Sequence, residues 1–448
     1  MNSGSPAVTV TDSAFIDTVE RRAFDFFRAQ TAGWIAGHFV DSIWDRTVLQ
    51  VAHAEPAVRH AVNAVSAMHE KRFSHPNYNR CAADHSGQHF AVSQYAKALQ
   101  GFRRLLYLKE TSVDVVLVGA LLCVHFESLQ ERFVPALMHA ENAMTLLRHQ
   151  SNLSNRELDP GLLSAYQHLD FQGSAFIGMR VPALISLLPT NTELPQEVRS
   201  VTHARRLCIT WASRLLHFMR TVADRFKYVS PGFVPLEVLD ASIKMEESFG
   251  IIRILLRDFA QQPGIKLSFR EQCGLALLRA QAAEYRIVAA GCLYSEECIY
   301  DRYLPYFEEI YAICRFVFDS GDPSCRILSA STDNSLLRSL WFIATHCRDS
   351  KVRHSALKLL KAVPMDGQVW HVNAMIKSAE LCIQREEELC QVPSPSCEDV
   401  PEWRRVHSSG FDEWVLGAAN KEVFTARLRR RMNGMDGEWD EVVESIRW

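Results

Sequence analysis

Histidine, cysteine and arginine side chains gather at a few places in this sequence where their spacing could do chemistry. In LWFIATHCRDSKVRHSALKLLKAVP, residues 340–364, an apolar run closes on His346 and Cys347, and His354 follows across a short polar break. Imidazole and thiolate are zinc ligands, whereas Lys351, Arg353, Lys358 and Lys361 in the same stretch would suit a helix laid against phosphate. In CAADHSGQH, Cys81, His85 and His89 fall at four-residue steps, which a helix would align as a metal face. Structural zinc sites need closely paired ligands, and the sequence contains no C-x2-C; Cys390 and Cys397 have six residues between them and no close partner. Ser86-Gly87 and the polar text around Cys81 read as a loop, so no metal is expected there.

Nucleophilic and phosphate chemistry are poorly served. There is no G-x-S-x-G elbow, no G-x4-G-K-[ST] loop and no G-x-G-x-x-G after a strand. Gly173-Ser174 lacks the second glycine that an elbow requires. The carboxylate runs Glu246-Glu247 and Glu386-Glu387-Glu388 have basic neighbours and read as solvated helix faces. No catalytic residue, no cofactor site and no metal site is therefore expected. One basic cluster remains, Arg427, Arg429, Arg430 and Arg431 in ARLRRRMNG. It reads either as a nuclear-import or partner patch, or as the polar face of a helix near its C-terminus, where cations favour the dipole.

The elements that must position these residues are helical throughout. Apolar residues recur at three- and four-residue spacing in nearly every long segment, and strand text is scarce. DSAFIDTVERRAFDFFRAQTAGWIAGHF begins with Asp12 and Ser13 as cap candidates, and Glu55-Pro56 opens EPAVRHAVNAVSAMHEKR, whose stripe is Val58, Ala61, Val62, Val65 and Met68. Turn chemistry separates the helices at 74–88, 151–161, 261–264, 320–324 and 391–403. The chain has 448 residues, 48% hydrophobic, with a net charge of −3. That balance supports a large core and supplies no general field for nucleic acid or an acidic membrane. The twelve cysteines lie mostly inside apolar helical text, which suits reduced thiols, and the N-terminus lacks a leader pattern. The most apolar run, 115–124, is too short to span a bilayer, so no membrane association is expected. The expected fold is all-α: an irregular array of antiparallel helix pairs forming one large helical domain. Residues 1–11 are expected to be a flexible N-terminus. Residues 12–448 form the helical body, with a loop at 391–402 before the C-terminal segment.

Within 340–364 the periodicity also assigns faces. Leu340, Phe342 and Ile343 belong to a helix ending near Cys347, and Asp349 or Ser350 can cap the next. Val352, Ala356, Leu359, Leu360 and Val363 form its apolar stripe, with the four cations lying off it toward water and Pro364 marking the end. On this reading the stretch is a helix hairpin, and His346 and Cys347 are packing residues. Trp341, Phe342, Phe307 and Tyr311 either pack a core or enclose an apolar pocket for a small molecule.

Taken in order, AEPAVRHAVNAVSAMHE (54–70), YAKALQGFRRLL (95–106), LVGALLCVHFESLQERFVPALMHAENAMTLLRHQ (117–150), the 340–364 stretch and WDEVVESIRW resemble the helical regulatory region of fungal binuclear zinc-cluster transcription factors. The resemblance runs from about Phe15 to Trp448. It implies an intracellular, nuclear regulator of transcription whose partners are other transcription factors or co-regulators, as a homo- or heterodimer, with control of a biosynthetic (secondary-metabolite) gene cluster among the family's habits. A helical small-molecule sensor, or a protein-interaction scaffold that modulates a partner factor, is the alternative. In that family a six-cysteine cluster binds two zinc ions and reads DNA; here Cys81 is the first cysteine and no half-motif is present. Sequence-specific DNA binding is therefore not expected of these residues themselves.

Overall fold

A computed structural model describes residues 17–39, 42–73, 85–108, 112–153, 158–176, 180–191, 193–319, 335–363, 372–416, 422–431 and 438–446. The expected flexible N-terminus, 1–11, and the turn at 320–324 lie outside these residues. The described residues open with α1 (Thr18–Phe26), α2 (Ala32–Ala36), α3 (Val48–Ala54) and α4 (Pro56–Phe73). The first cap is Asp17, whose carboxylate accepts the Glu20 N–H at 2.7 Å; Asp12 and Ser13 lie outside the described residues. Pro56 occupies the first position of α4, where its missing N–H costs nothing, and the Glu55 carboxylate accepts the Ala57 N–H. All five residues of the predicted α4 stripe are buried. Each such valine contributes about 1.5–3 kcal/mol of transfer free energy.

The family of helices continues with α5 (His85–Leu108), α6 (Val113–Leu129), α7 (Phe133–Leu153), α8 (Pro160–Phe176) and α9 (Val201–Thr221). The helix α5 starts inside the segment expected to be a loop: Ser86-Gly87 sit in its first turn, where glycine costs little because the chain has not yet committed many hydrogen bonds. Sequential helices pack as hairpins, α4 with α5 and α6 with α7, around one core that includes Phe24, Trp44, Val62, Leu121 and Tyr166. Gly101 of α5 lets α4 approach closely, since a Cβ there would lie 2.6 Å from that of Ala57.

Further on come α10 (Leu236–Gln261), α11 (Phe269–Gly291), α12 (Leu304–Asp319), α13 (Ser335–His346), α14 (Ser350–Ala362) and α15 (Val372–Glu387). A capping box between Ser268 and Glu271 starts α11. This helix is buried on two faces. Leu275, Leu278 and Tyr285 pack with α9 and α10, while Leu277, Ala280 and Ile287 pack with the α12–α15 cluster. Its Arg270 donates to the carbonyls of Gly33, Gly37 and Phe39, joining the two halves of the chain. The fold is all-α in class, as the periodicity predicts.

One element departs from that expectation. Residues 408–446 form a three-stranded antiparallel sheet of order β1-β2-β3, with β1 (Ser408–Leu416), β2 (Glu422–Arg431) and β3 (Trp439–Ile446). The helix-end reading of the ARLRRR segment is therefore wrong, because these residues belong to the strand β2 and pair with β3. Leu428 is buried, packing with Leu381, Cys382 and Val406.

Candidate functional site

The predicted hairpin is present over residues 340–363, and Pro364 lies outside the described residues. Asp349 caps α14 by accepting the Val352 N–H at 3.0 Å, and Ala356, Leu359, Leu360 and Val363 are buried. Lys351 and Lys358 face water, and Lys361 reaches Glu380 at 2.7 Å. Arg353 does not: it is fully buried, and this corrects the expected solvent-facing position. The reason is geometric. On a helical wheel Arg353 lies between Ala356, Leu357 and Leu360, and α14 is covered on both sides, by α13 and by α15.

Arg353 meets Glu386 at 2.7 Å, and Arg348 meets the same carboxylate at 3.0 Å; all three side chains are completely buried. Glu386 also accepts the Val406 N–H at 2.8 Å, and Arg348 donates to the Val406 carbonyl and approaches Glu297 at 3.4 Å. Burial pushes the Glu386 carboxyl up, but Arg348, Arg353 and the Val406 N–H outweigh that and hold it down at about 2. The expected solvated face at Glu386 is thus overturned: its neighbours are cations, but inside the protein. Nearby, Glu402 accepts from the Glu297 and Cys298 N–H groups and from His407, and these outweigh burial to bring it down to about 2. The node fastens the segment before β1 to the helical body.

The other sequence candidates are distributed. His346 is enclosed by Phe342, stacked at 4.6 Å, and by Tyr300, and burial lowers its pKa to about 4. Burial raises the Cys347 thiol to about 12, so it is not a thiolate. His354 is exposed and pairs with Glu387 at 2.8 Å. His85 and His89 fall one turn apart on α5, and Cys81 lies outside the described residues. Among the described residues no group of three His, Cys, Asp or Glu side chains is placed to hold a metal. The Ser174 hydroxyl is buried and accepts from Arg180, which also bridges Asp170 and Glu141. Phe307 and Phe342 are buried in the α11–α15 core, with Trp341 and Tyr311 packed against it and the Trp341 indole N–H donating to Ser378. In the strand β2, Arg429 pairs with Glu441 at 2.8 Å and Arg430 with Asp440 at 2.5 Å, matching the register of β3. Of the side chains of Arg427 and Arg431 nothing is described. Binding an import receptor or phosphate through this patch would require those two ion pairs to open.

What the sequence reading did not single out is a groove along α5, closed by α6 and α7. It encloses about 530 Å³ and is lined chiefly by Leu99, Phe102, Leu106, Tyr107, Val116 and Ala120, with Arg103 and His139 as its polar members. Gly119 of α6 provides the shelf for Phe102, since a Cβ there would lie 2.6 Å from the ring. Below it, Tyr95 donates to Glu127 at 2.8 Å and lies 3.3 Å from His139, while Arg132 pairs with Glu127. Burial raises the Cys123 thiol to about 12, so it is not a thiolate. Its volume suits a drug-sized molecule or a few side chains of a docked peptide.

Residues 23–212, from α1 into α9, match the family model of the fungal specific transcription factor domain. The matched stretch is similar to that domain over somewhat less than half of the chain. The α5 groove lies wholly inside it, whereas the buried charge node and the sheet lie beyond its end. No protein of curated function matches the chain. The match supports a role in the regulation of transcription, and no helix among the described residues is long and apolar enough to cross a membrane.

Proposed function

We propose that this chain is a nuclear regulator of transcription that works without catalysis, by contact between its helical body and other transcription factors or co-regulators. Residues 12–448 act as one regulatory body, and its target is a biosynthetic gene cluster. The observation that carries the reading is the coincidence of the transcription factor domain with the apolar groove that opens on its surface. Catalytic sites converge polar groups in a cleft; here the groove is apolar and its thiol is protonated, which suits recognition. At Trp341, Phe342, Phe307 and Tyr311 the packing reading is favoured, because Phe307 and Phe342 are buried in a core and the other two pack against it.

The test is a chromosomal deletion followed by transcript profiling and localisation of a tagged chain. Nuclear signal together with a coherent change in a set of neighbouring biosynthetic genes is the expected result. Exclusion from the nucleus, or an unchanged transcript profile, would end this reading.

A further inference from the structure

The helix α5 presents apolar side chains to water at a strict seven-residue interval. Val92, Leu99 and Leu106 are all exposed, Leu106 at 62%, and Ala96, Arg103 and Tyr107 lie between them on the same face. Seven-residue spacing is the seam of a helix that packs lengthwise against another helix. From Val92 to Leu106 the seam runs about 21 Å. A small molecule occupying the groove would cover only its C-terminal half. An extended apolar seam that runs on into a preformed groove is the geometry of helix-in-groove recognition.

Charge selects the occupant. The 24 residues of α5 contain Lys97, Arg103 and Arg104 and no aspartate or glutamate. Arg103 and Arg104 are exposed, and neither pairs with a carboxylate among the described residues. Two copies of this face laid together would oppose cations with no carboxylate between them, which disfavours a second copy of the chain. Arg103 stands in the middle of the seam and is itself part of the groove wall. The geometry points to an acidic amphipathic helix of another protein as the occupant, with apolar residues at seven-residue spacing entering the groove and a carboxylate meeting Arg103. This rests on the reading that the domain regulates by protein contact, and it names the chemistry of the partner.

The probe is a synthetic peptide of about 18 residues, long enough to support a helix, with leucine every seventh position and flanking glutamates. A matched peptide carries lysines in place of the glutamates. Binding to the full chain is read by fluorescence anisotropy. The glutamate peptide should bind and the lysine peptide should bind at least about tenfold more weakly. Arg103→Glu should reverse that order, and Leu106→Ser should weaken both, with unchanged far-UV circular dichroism in each variant. Equal affinity for the two peptides, no binding of either, or no reversal in Arg103→Glu would overturn the proposal. A concentration-dependent dimer that Arg103→Glu dissolves would assign the face to a second copy and also overturn it. If deletion alters transcripts while the peptides fail, the partner chemistry falls and the regulatory reading stands; if the peptides bind while deletion alters nothing, the reverse holds.

Discussion

Replacing Glu386 by glutamine removes the anion shared by two fully buried guanidinium groups, leaving Arg348 with Glu297 and Arg353 with Glu387, while keeping a carbonyl oxygen near the Val406 N–H. The carboxyl is held from its usual 4.5 down to about 2. At 1.36 kcal/mol per tenfold change in acidity, that difference corresponds to about 3 kcal/mol. Breaking a buried pair by deleting one partner costs about 3–5 kcal/mol, in the same range. The sign follows from the depressed carboxylate. Its contribution is present above about pH 4.5 and is lost only as pH falls toward about 2, so the effect should be the same at about pH 6 and about pH 8. The cost is local, because Glu386 and Arg348 tie the 400–407 segment to α13 and α15. Hydrogen exchange read by mass spectrometry should therefore speed up about 150-fold, the 3 kcal/mol converted to a rate ratio, in peptides covering 344–353 and 400–407. Peptides from α4 to α7 should be unchanged. Acceleration below about tenfold, or acceleration spread evenly over the chain, would refute the assignment of this node as the fastening of the C-terminal segment.

Three further outcomes follow from the same geometry. His346 is buried as the neutral imidazole with its pKa lowered to about 4, so stability present above about pH 6.5 is lost as pH falls from 6.5 toward 4; in His346→Gln the pH dependence of urea unfolding over that interval should be shallower by up to about 1.4 kcal/mol per pH unit. Gly119→Ala should press the Phe102 ring toward the groove, weakening glutamate-peptide binding while lowering stability by no more than about 1–3 kcal/mol in thermal unfolding. Leu428→Asp buries a charge where the sheet meets α15, so limited proteolysis should release the segment from about residue 408 onward while the helical body stays resistant.

Much of the helical architecture is legible in the sequence because burial of a helix face imposes a 3.6-residue period that survives irregular connections. The α4 stripe, the Pro56 start and the Asp349 cap all follow from local rules. Arg353 shows where local rules stop. Its wheel position was readable, but the partner that permits burial, Glu386, lies 33 residues away on α15, and nothing in the α14 text points to it. An arginine run resembles the last turn of a helix, and in β2 only the sequence alternation of Phe424, Ala426 and Leu428 signals a strand. The α5 groove was hidden for a different reason. Leu99 and Leu106 sit at helical spacing, and periodicity places residues on a face without telling whether that face meets core or water. The absence of any carboxylate in α5 was visible, but α9, α13 and α14 share it, so it does not by itself mark a binding face.

On the proposed reading, this helical body changes transcription by what it contacts. Tethering the full chain to a heterologous DNA-binding module upstream of a reporter tests this directly. The wild-type fusion should raise or lower reporter output, and Arg103→Glu and Leu106→Ser fusions at equal protein level should lose that effect. A wild-type fusion that is present in the nucleus at normal level and leaves the reporter unchanged would contradict the claim.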